Sequence, residues 1–202
     1  MKAIDTTELD VLTEIGTIGA GNATTALSVM LNSKLSMKIP KVSFMGFDEF
    51  VDSIGGAENV IAAVLSNING EVKGFVLFAI DIKDVYQLVS RLSGIELNMD
   101  NGYNFSEFDL SAIKEIGNIL ISSYLSSMET LTGLQLRPSM PRLTIDMAGA
   151  ILNLPAIVDS REHDEVLRIE SQIEGVELAF QGHLMMIPAA DSYKMIRERL
   201  GL

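Results

Sequence analysis

Asp10-Val11-Leu12-Thr13-Glu14-Ile15-Gly16-Thr17, closed by Pro40, returns a hundred and one residues later as Ser111-Ala112-Ile113-Lys114-Glu115-Ile116-Gly117-Asn118, closed by Pro141. At the same offset Leu9 meets Leu110, Leu35 meets Leu136 and Lys41 meets Arg142, so the chain reads as an internal duplication. The copies differ at one telling place. The second offers a carboxylate and a carboxamide at i and i+3, whereas the first has Thr17 where the amide should stand.

Each copy then runs through Gly-punctuated, β-favouring stretches. In the first half these are Val42 to Phe47, Val60 to Asn67 and Val72 to Ile80. In the second they are Leu143 to Ile145, Ala150 to Val158, Val166 to Ile173 and Val176 to Ile187. The short spacings favour antiparallel pairing. Amphipathic segments, Lys83 to Leu92 and Ala189 to Leu200, close the halves, with Gly94 and Gly201 as helix stops. Asn98, Asp100, Asn101, Gly102 and Asn104 mark Ile95 to Phe105 as the linker. The expected class is α/β in the α+β sense: a pseudo-twofold fold of two duplicated halves, each with a long motif helix, antiparallel strands and a closing helix. It is read as one domain over residues 1–202, made of two repeats at about 1–95 and 106–202.

Composition narrows the function. With 202 residues and 48% hydrophobic content the chain can bury a real core. A formal charge of −12 repels phosphate backbones, and no basic stripe offsets it, so nucleic acid is not an expected partner. Polar residues interrupt the longest uncharged run, Ile15 to Ser33, so no membrane span is expected. The absence of cysteine excludes disulfides and thiolate chemistry; with no basic-then-apolar leader at Met1-Lys2-Ala3 it fits a cytoplasmic protein.

Helical periodicity separates core from face. In the second motif helix Ile113, Ile116, Leu120, Tyr124, Ser127 and Leu131 form a buried stripe, which leaves Ser111, Glu115, Asn118 and Ser122 on the opposite, exposed side. In the first the expected stripe is Leu12, Ile15, Gly19, Ala23, Ala26 and Met30, with Asp10, Glu14, Thr17 and Gly21 outward. Glu115 alone would read as a solvated helix residue. Asn118 is harder to explain by stability, because asparagine is a poorer helix former than alanine by up to about 0.7 kcal/mol and the glycine before it costs about 1 kcal/mol. Gly117 has a structural explanation in close packing, and the two prolines in ending a helical approach and starting a strand. Gly16-Thr17-Ile18-Gly19-Ala20-Gly21 lacks the spacing of a phosphate loop and reads better as small residues for helix packing. His163 and His183 carry no paired ligand motif, and no metal site of the chain's own is expected.

The pattern Asp/Ser, three residues, Glu, two residues, Asn, twenty-two residues, Pro resembles the signature of the CheC/CheX/FliY phosphatases of bacterial and archaeal chemotaxis. Ser111, Glu115, Asn118 and Pro141 fit at every position; Asp10, Glu14 and Pro40 also fit, and Thr17 departs from it. The duplicated motif, the length and the lack of an appended flagellar-switch domain make the resemblance that of the CheC branch. The resemblance implies a CheC-like fold and hydrolysis of the phosphoaspartyl group of the response regulator CheY, with Asn118 and Glu115 as the catalytic pair. It implies that Glu115 engages the regulator's lysine and that Mg²⁺ is carried by CheY, with no cofactor of the protein's own. Glu14 and Thr17 become a degenerate second site, and Asp10, Ser111, Pro40 and Pro141 support the motifs. The same resemblance names the receptor deamidase CheD as a partner. It leaves open a CheD-binding adaptor with little catalysis, and a flagellar-switch component like the FliM middle domain.

Overall fold

A computed structural model describes residues 6–94, 105–153, 165–175 and 178–201. The first half runs α1 (Thr6–Met30), β1 (Leu35–Met37), β2 (Lys41–Gly46), α2 (Phe47–Ser53), β3 (Val60–Gly70), β4 (Gly74–Asp81) and α3 (Ile82–Ser93). The second repeats that order as α4 (Glu107–Thr132), β5 (Leu136–Pro138), β6 (Arg142–Met147), α5 (Ala148–Leu152), β7 (Glu165–Gly175), β8 (Leu178–Pro188) and α6 (Ala190–Leu200). This is the pseudo-twofold α+β arrangement expected from the repeat.

All strand pairs are antiparallel, in the path β1-β7-β8-β4-β3-β5, with β2 also on β7 and β6 also on β3. The short strands of each half therefore pair with the long hairpin of the other. Phe78 opposite Leu184 joins the two hairpins at the centre. Because side chains alternate across a strand, β3 sends Ala62 and Val64 to one core and Ile61, Ala63 and Leu65 to another. The larger core lies under α1, α3, α4 and α6, the smaller under α2 and α5.

The two motif helices lie together in the helical layer. Ser106 caps α4 in a capping box with Asp109, satisfying backbone donors at its start, and Gly133 in the left-handed region ends it. Gly94 and Gly201, expected as helix stops, take the same conformation at the ends of α3 and α6. Where α1 crosses α4, a Cβ on Gly19 would stand 2.4 Å from the Tyr124 ring, and the Ser127 hydroxyl donates to the Ile15 carbonyl at 3.0 Å. Gly16 faces Val42 and Pro40, while Gly21 has open space beside it. Two of the three glycines thus serve packing, as the sequence suggests.

Several expectations need correction. Ala150 to Leu152, read as the start of a strand, are helical in α5, because the Gly149 N–H is bonded to the Ala57 carbonyl at 2.8 Å and turns the chain; 154–158 lie outside the described residues. Phe47 opens α2 rather than ending a strand, and Val72 lies in the turn before β4. Pro40 and Pro141 do not end helices: α1 and α4 stop earlier, β1 and β5 intervene, and each proline precedes the second short strand. Ala26 is exposed and Leu27 is buried instead, since successive steps of four from Ile15 and Gly19 lead to Ala23 and Leu27. Leu131, on the last turn of α4, is also exposed. Of the expected linker, 95–104 lie outside the described residues.

One polar cluster is built into the smaller core's rim. His183 on β8, opposite Glu170 and Ala79, is buried, and its Nδ1 has no partner among the described residues. Desolvation first, and then the nearby Arg168 charge, push its imidazole down to about 4. Arg168 is itself paired with Glu170, which also accepts from Lys41 at 3.1 Å.

Two measurements follow from these contacts. Gly19→Ala should lower stability in urea by about 1–3 kcal/mol through overpacking, whereas Gly21→Ala, on the open side of the same helix, should raise it by about 0.5–1 kcal/mol. A depressed histidine contributes nothing unfavourable while neutral in both states, above pH 6.5; as pH falls the unfolded chain takes the proton first, so stability drains away from 6.5 down to about 4. The loss should be on the order of 3 kcal/mol, and His183→Leu should flatten the urea midpoint over the upper part of that window.

Candidate functional site

The sheet fixes the rotation of α4. Gly117 is pressed on β3, where a Cβ would stand 2.4 Å from a Val64 methyl, and Ile113, Ile116 and Leu120 are buried in the larger core. A helix held so tightly on one side has no freedom to roll. Ser111 and Glu115 are therefore exposed on the other side, with Asn118 and Ser122 half-buried beside them.

Of the residues singled out in the sequence, the structure brings Glu115 and Asn118 into contact: the Asn118 amide donates to Glu115 Oε2 at 3.5 Å. A carboxylate only accepts, so the amide must turn its NH₂ toward it. That leaves Asn118 Oδ1 free to accept from a third group, such as a water molecule. The pair is thus an acceptor oxygen with a negative charge beside it, on a rigid element.

The first motif has the same phase and a different chemistry. Asp10, Glu14, Thr17 and Gly21 are exposed on α1, as expected. The Thr17 hydroxyl, however, donates to the Thr13 carbonyl one turn back, at 2.8 Å, so its only proton is committed to its own helix. Thr24 and Thr25 do the same toward Ala20 and Gly21. Beside Thr17 runs a groove of about 600 Å³, lined among others by Gly21, Thr24, Val29, Ile39 and Pro40. Pro40, against Gly16, forms its wall and is buried, whereas Pro141 is half-buried. Both prolines play one structural part: each sets the start of the strand that packs beside its motif helix.

Two residues escaped the sequence reading. Phe108, in the first turn of α4, is 63% exposed and Met140, directly before Pro141, is 87% exposed. Phe108 could have been found by carrying the outward face one step back from Ser111; its apolar character argued for the core instead. Among the described residues no three His, Asp or Glu side chains gather as a metal ligand set, and no helix is long and apolar enough to cross a membrane.

Comparison with known proteins shows what the chain resembles. A model of the CheC-like family matches residues 8–43 and 108–145, the two motif segments with their prolines. The chain is 31% identical over 196 residues to the CheY-P phosphatase CheC of Bacillus subtilis (strain 168), covering 96% of this chain and 94% of that one. It superposes on FliY of Thermotoga maritima with a TM-score of 0.76 at 22% identity, over 98% of both chains. The CheX chain of a CheX–CheY–BeF₃–Mg²⁺ complex from Borrelia burgdorferi shares the fold more loosely, with a TM-score of 0.53 at 14% identity over 87% of this chain and 96% of that one.

Proposed function

The chain belongs to the CheC-like family, and we propose that it hydrolyses the phosphoaspartate of a CheY-type response regulator, with Glu115 and Asn118 of α4 as the working pair. The observation that carries the reading is their contact on an exposed, rotation-locked helix face. The relative named CheY-P phosphatase supports it.

Phosphoryl transfer asks chiefly for placement and charge stabilisation. The substrate is a mixed anhydride of carboxylate and phosphate. Water attacks phosphorus, the bond from phosphorus to the aspartyl oxygen breaks, and the carboxylate leaves with the electron pair. Asn118 Oδ1 accepts a hydrogen bond from that water and aims its oxygen along the line of attack. Glu115 holds the amide in orientation through Nδ2 and offers its free oxygen to a lysine of the regulator, a charge-assisted contact that docks the partner. No side chain of this protein acts as a nucleophile. Mg²⁺ arrives with the regulator and neutralises phosphoryl charge there; the CheX–CheY complex, which carries Mg²⁺ and BeF₃, is consistent with that division of labour.

Glu14 with Thr17 is the degenerate copy. Thr17 is shorter than asparagine, has no amide, and spends its proton on Thr13. Asp10, Ser111, Pro40 and Pro141 support their helices and adjoining strands. The same reading makes the chain one domain of two repeats, about 1–95 and 106–202, places it in the cytoplasm and gives it CheD as a second partner; the family match to both motif segments supports the repeat.

Decay of phosphorylated CheY in the presence of Mg²⁺ tests the proposal. The wild-type protein should accelerate it, and Asn118→Ala or Glu115→Ala, folded by circular dichroism, should each reduce that acceleration by about 10²-fold. No acceleration with a competent regulator would overturn the enzyme reading and favour an adaptor. Thr17→Asn introduced into Asn118→Ala should restore measurable turnover; an unchanged rate would count against Thr17 as the defect of the first site.

A further inference from the structure

On the α4 wheel, at about 100° per residue, Phe108 falls on the same side as Glu115, in an arc shared with Ser111 and Asn118. It is nearly two-thirds exposed. The position has no capping duty to explain an aromatic: Ser106 is the N-cap, so the hydrophobic-staple positions belong to Phe105 and Leu110. Met140 stands next to the motif proline, on a connection pinned to β3. Ser139 N–H donates to the Asn67 carbonyl at 2.9 Å, its hydroxyl accepts from Asn67 N–H at 3.0 Å, and the Ser66 hydroxyl donates to its carbonyl at 2.9 Å. A methionine is thus held out rigidly into solvent beside a helix to which β5 and β6 are packed.

Single exposed apolar residues are ordinary. What separates this case is repetition. Ile39, at the position equivalent to Met140 and also directly before its proline, is 74% exposed and lines the groove with Thr17. Among the described residues, Ile39 and Met140 are the one pair of repeat-equivalent positions at which both side chains are large, apolar and exposed. Phe108, by contrast, has Thr7 as its counterpart, so the aromatic belongs to the working motif alone.

We propose that Phe108 and Met140 are the apolar contacts that seat the phosphorylated response regulator on the α4 face, flanking Glu115 and Asn118, and that they set its affinity rather than the rate of hydrolysis. The inference rests on the proposed phosphatase reading for its occupant: Phe108 shares the helix arc of Glu115 and Asn118, and Met140 lies on the connection between two strands packed on that helix, at the position where Ile39 lines the groove with Thr17. An aromatic and a thioether at the edge of an otherwise polar face supply short-range binding that survives without attraction between the net charges.

The test separates affinity from turnover. Phe108→Ser and Met140→Ser should each raise the concentration of phosphorylated CheY needed for half-maximal rate by about tenfold, with kcat and melting temperature unchanged. Leu131→Ser, exposed on another side of α4, should change neither parameter. A loss of kcat at unchanged half-saturation, or no change in a wild-type background that hydrolyses, would overturn the inference and leave the phosphatase reading standing. If the wild type fails to hydrolyse, binding of CheY charged with BeF₃⁻ and Mg²⁺ to the Asn118→Ala protein reads docking directly; Phe108→Ser added there should weaken it, and equal binding would overturn the inference.

Discussion

Tyr124 sets the distance at which the two motif helices meet. Its ring fills the space left by Gly19 on α1, and its hydroxyl shares a 2.5 Å hydrogen bond with Ser171 on β7 and approaches the Met37 sulfur on β1. Burial pushes the phenol up to about 12, so at any physiological pH it is a neutral hydrogen-bonding group and not a latent charge. Two helices and two strands, from both halves of the chain, converge on one side chain. Had α1 carried a larger residue than glycine at that crossing, α1 would be lifted from α4 and the Ser127 bond to the Ile15 carbonyl would stretch with it.

The interleaved sheet makes this crossing necessary. Since β1 and β2 pair with β7, and β5 and β6 with β3, neither half completes its own sheet. The second motif helix bridges the halves as well, with Gly117 of the second half packed on Val64 of the first. The repeated order of elements gives symmetry of position, but the partners at the two positions are different residues. Thr17 is comfortable where it is: its hydroxyl closes on its own helix, whereas the Asn118 amide turns toward Glu115.

Much of this was legible in the residues. The offset of a hundred and one, the antiparallel strands, the closing helices and the outward phase of Asp10, Glu14, Thr17, Ser111 and Glu115 all follow from periodicity, which is a local property. What stayed hidden depends on long-range partners. The helical turn at Ala150 to Leu152 looks like a strand because Ile151 and Leu152 suit either state, and only the bond from Gly149 to Ala57 decides between them. The exchange of short strands between halves leaves no trace in hydrophobic pattern, since β1 and β5 are only three residues each. Phe108 is easily passed over for the opposite reason: its helix phase points outward with Ser111, but hydrophobicity alone assigns a phenylalanine to the interior.

Charge explains why such a residue is useful outside. A chain carrying −12 gains no long-range attraction toward a partner bearing an added phosphoryl group, and whatever field it has is screened within about 8 Å at physiological ionic strength. Glu115 can answer one cation of the partner at close range, but an exposed ion pair contributes only about 0–1 kcal/mol. The remaining affinity must come from contacts that do not depend on charge, and the proposed ones on the α4 side are an exposed aromatic ring and an exposed methionine. A site proposed to hydrolyse by placement gains from surfaces that keep their shape, which is what the pinned connection before Pro141 and the locked helix provide together.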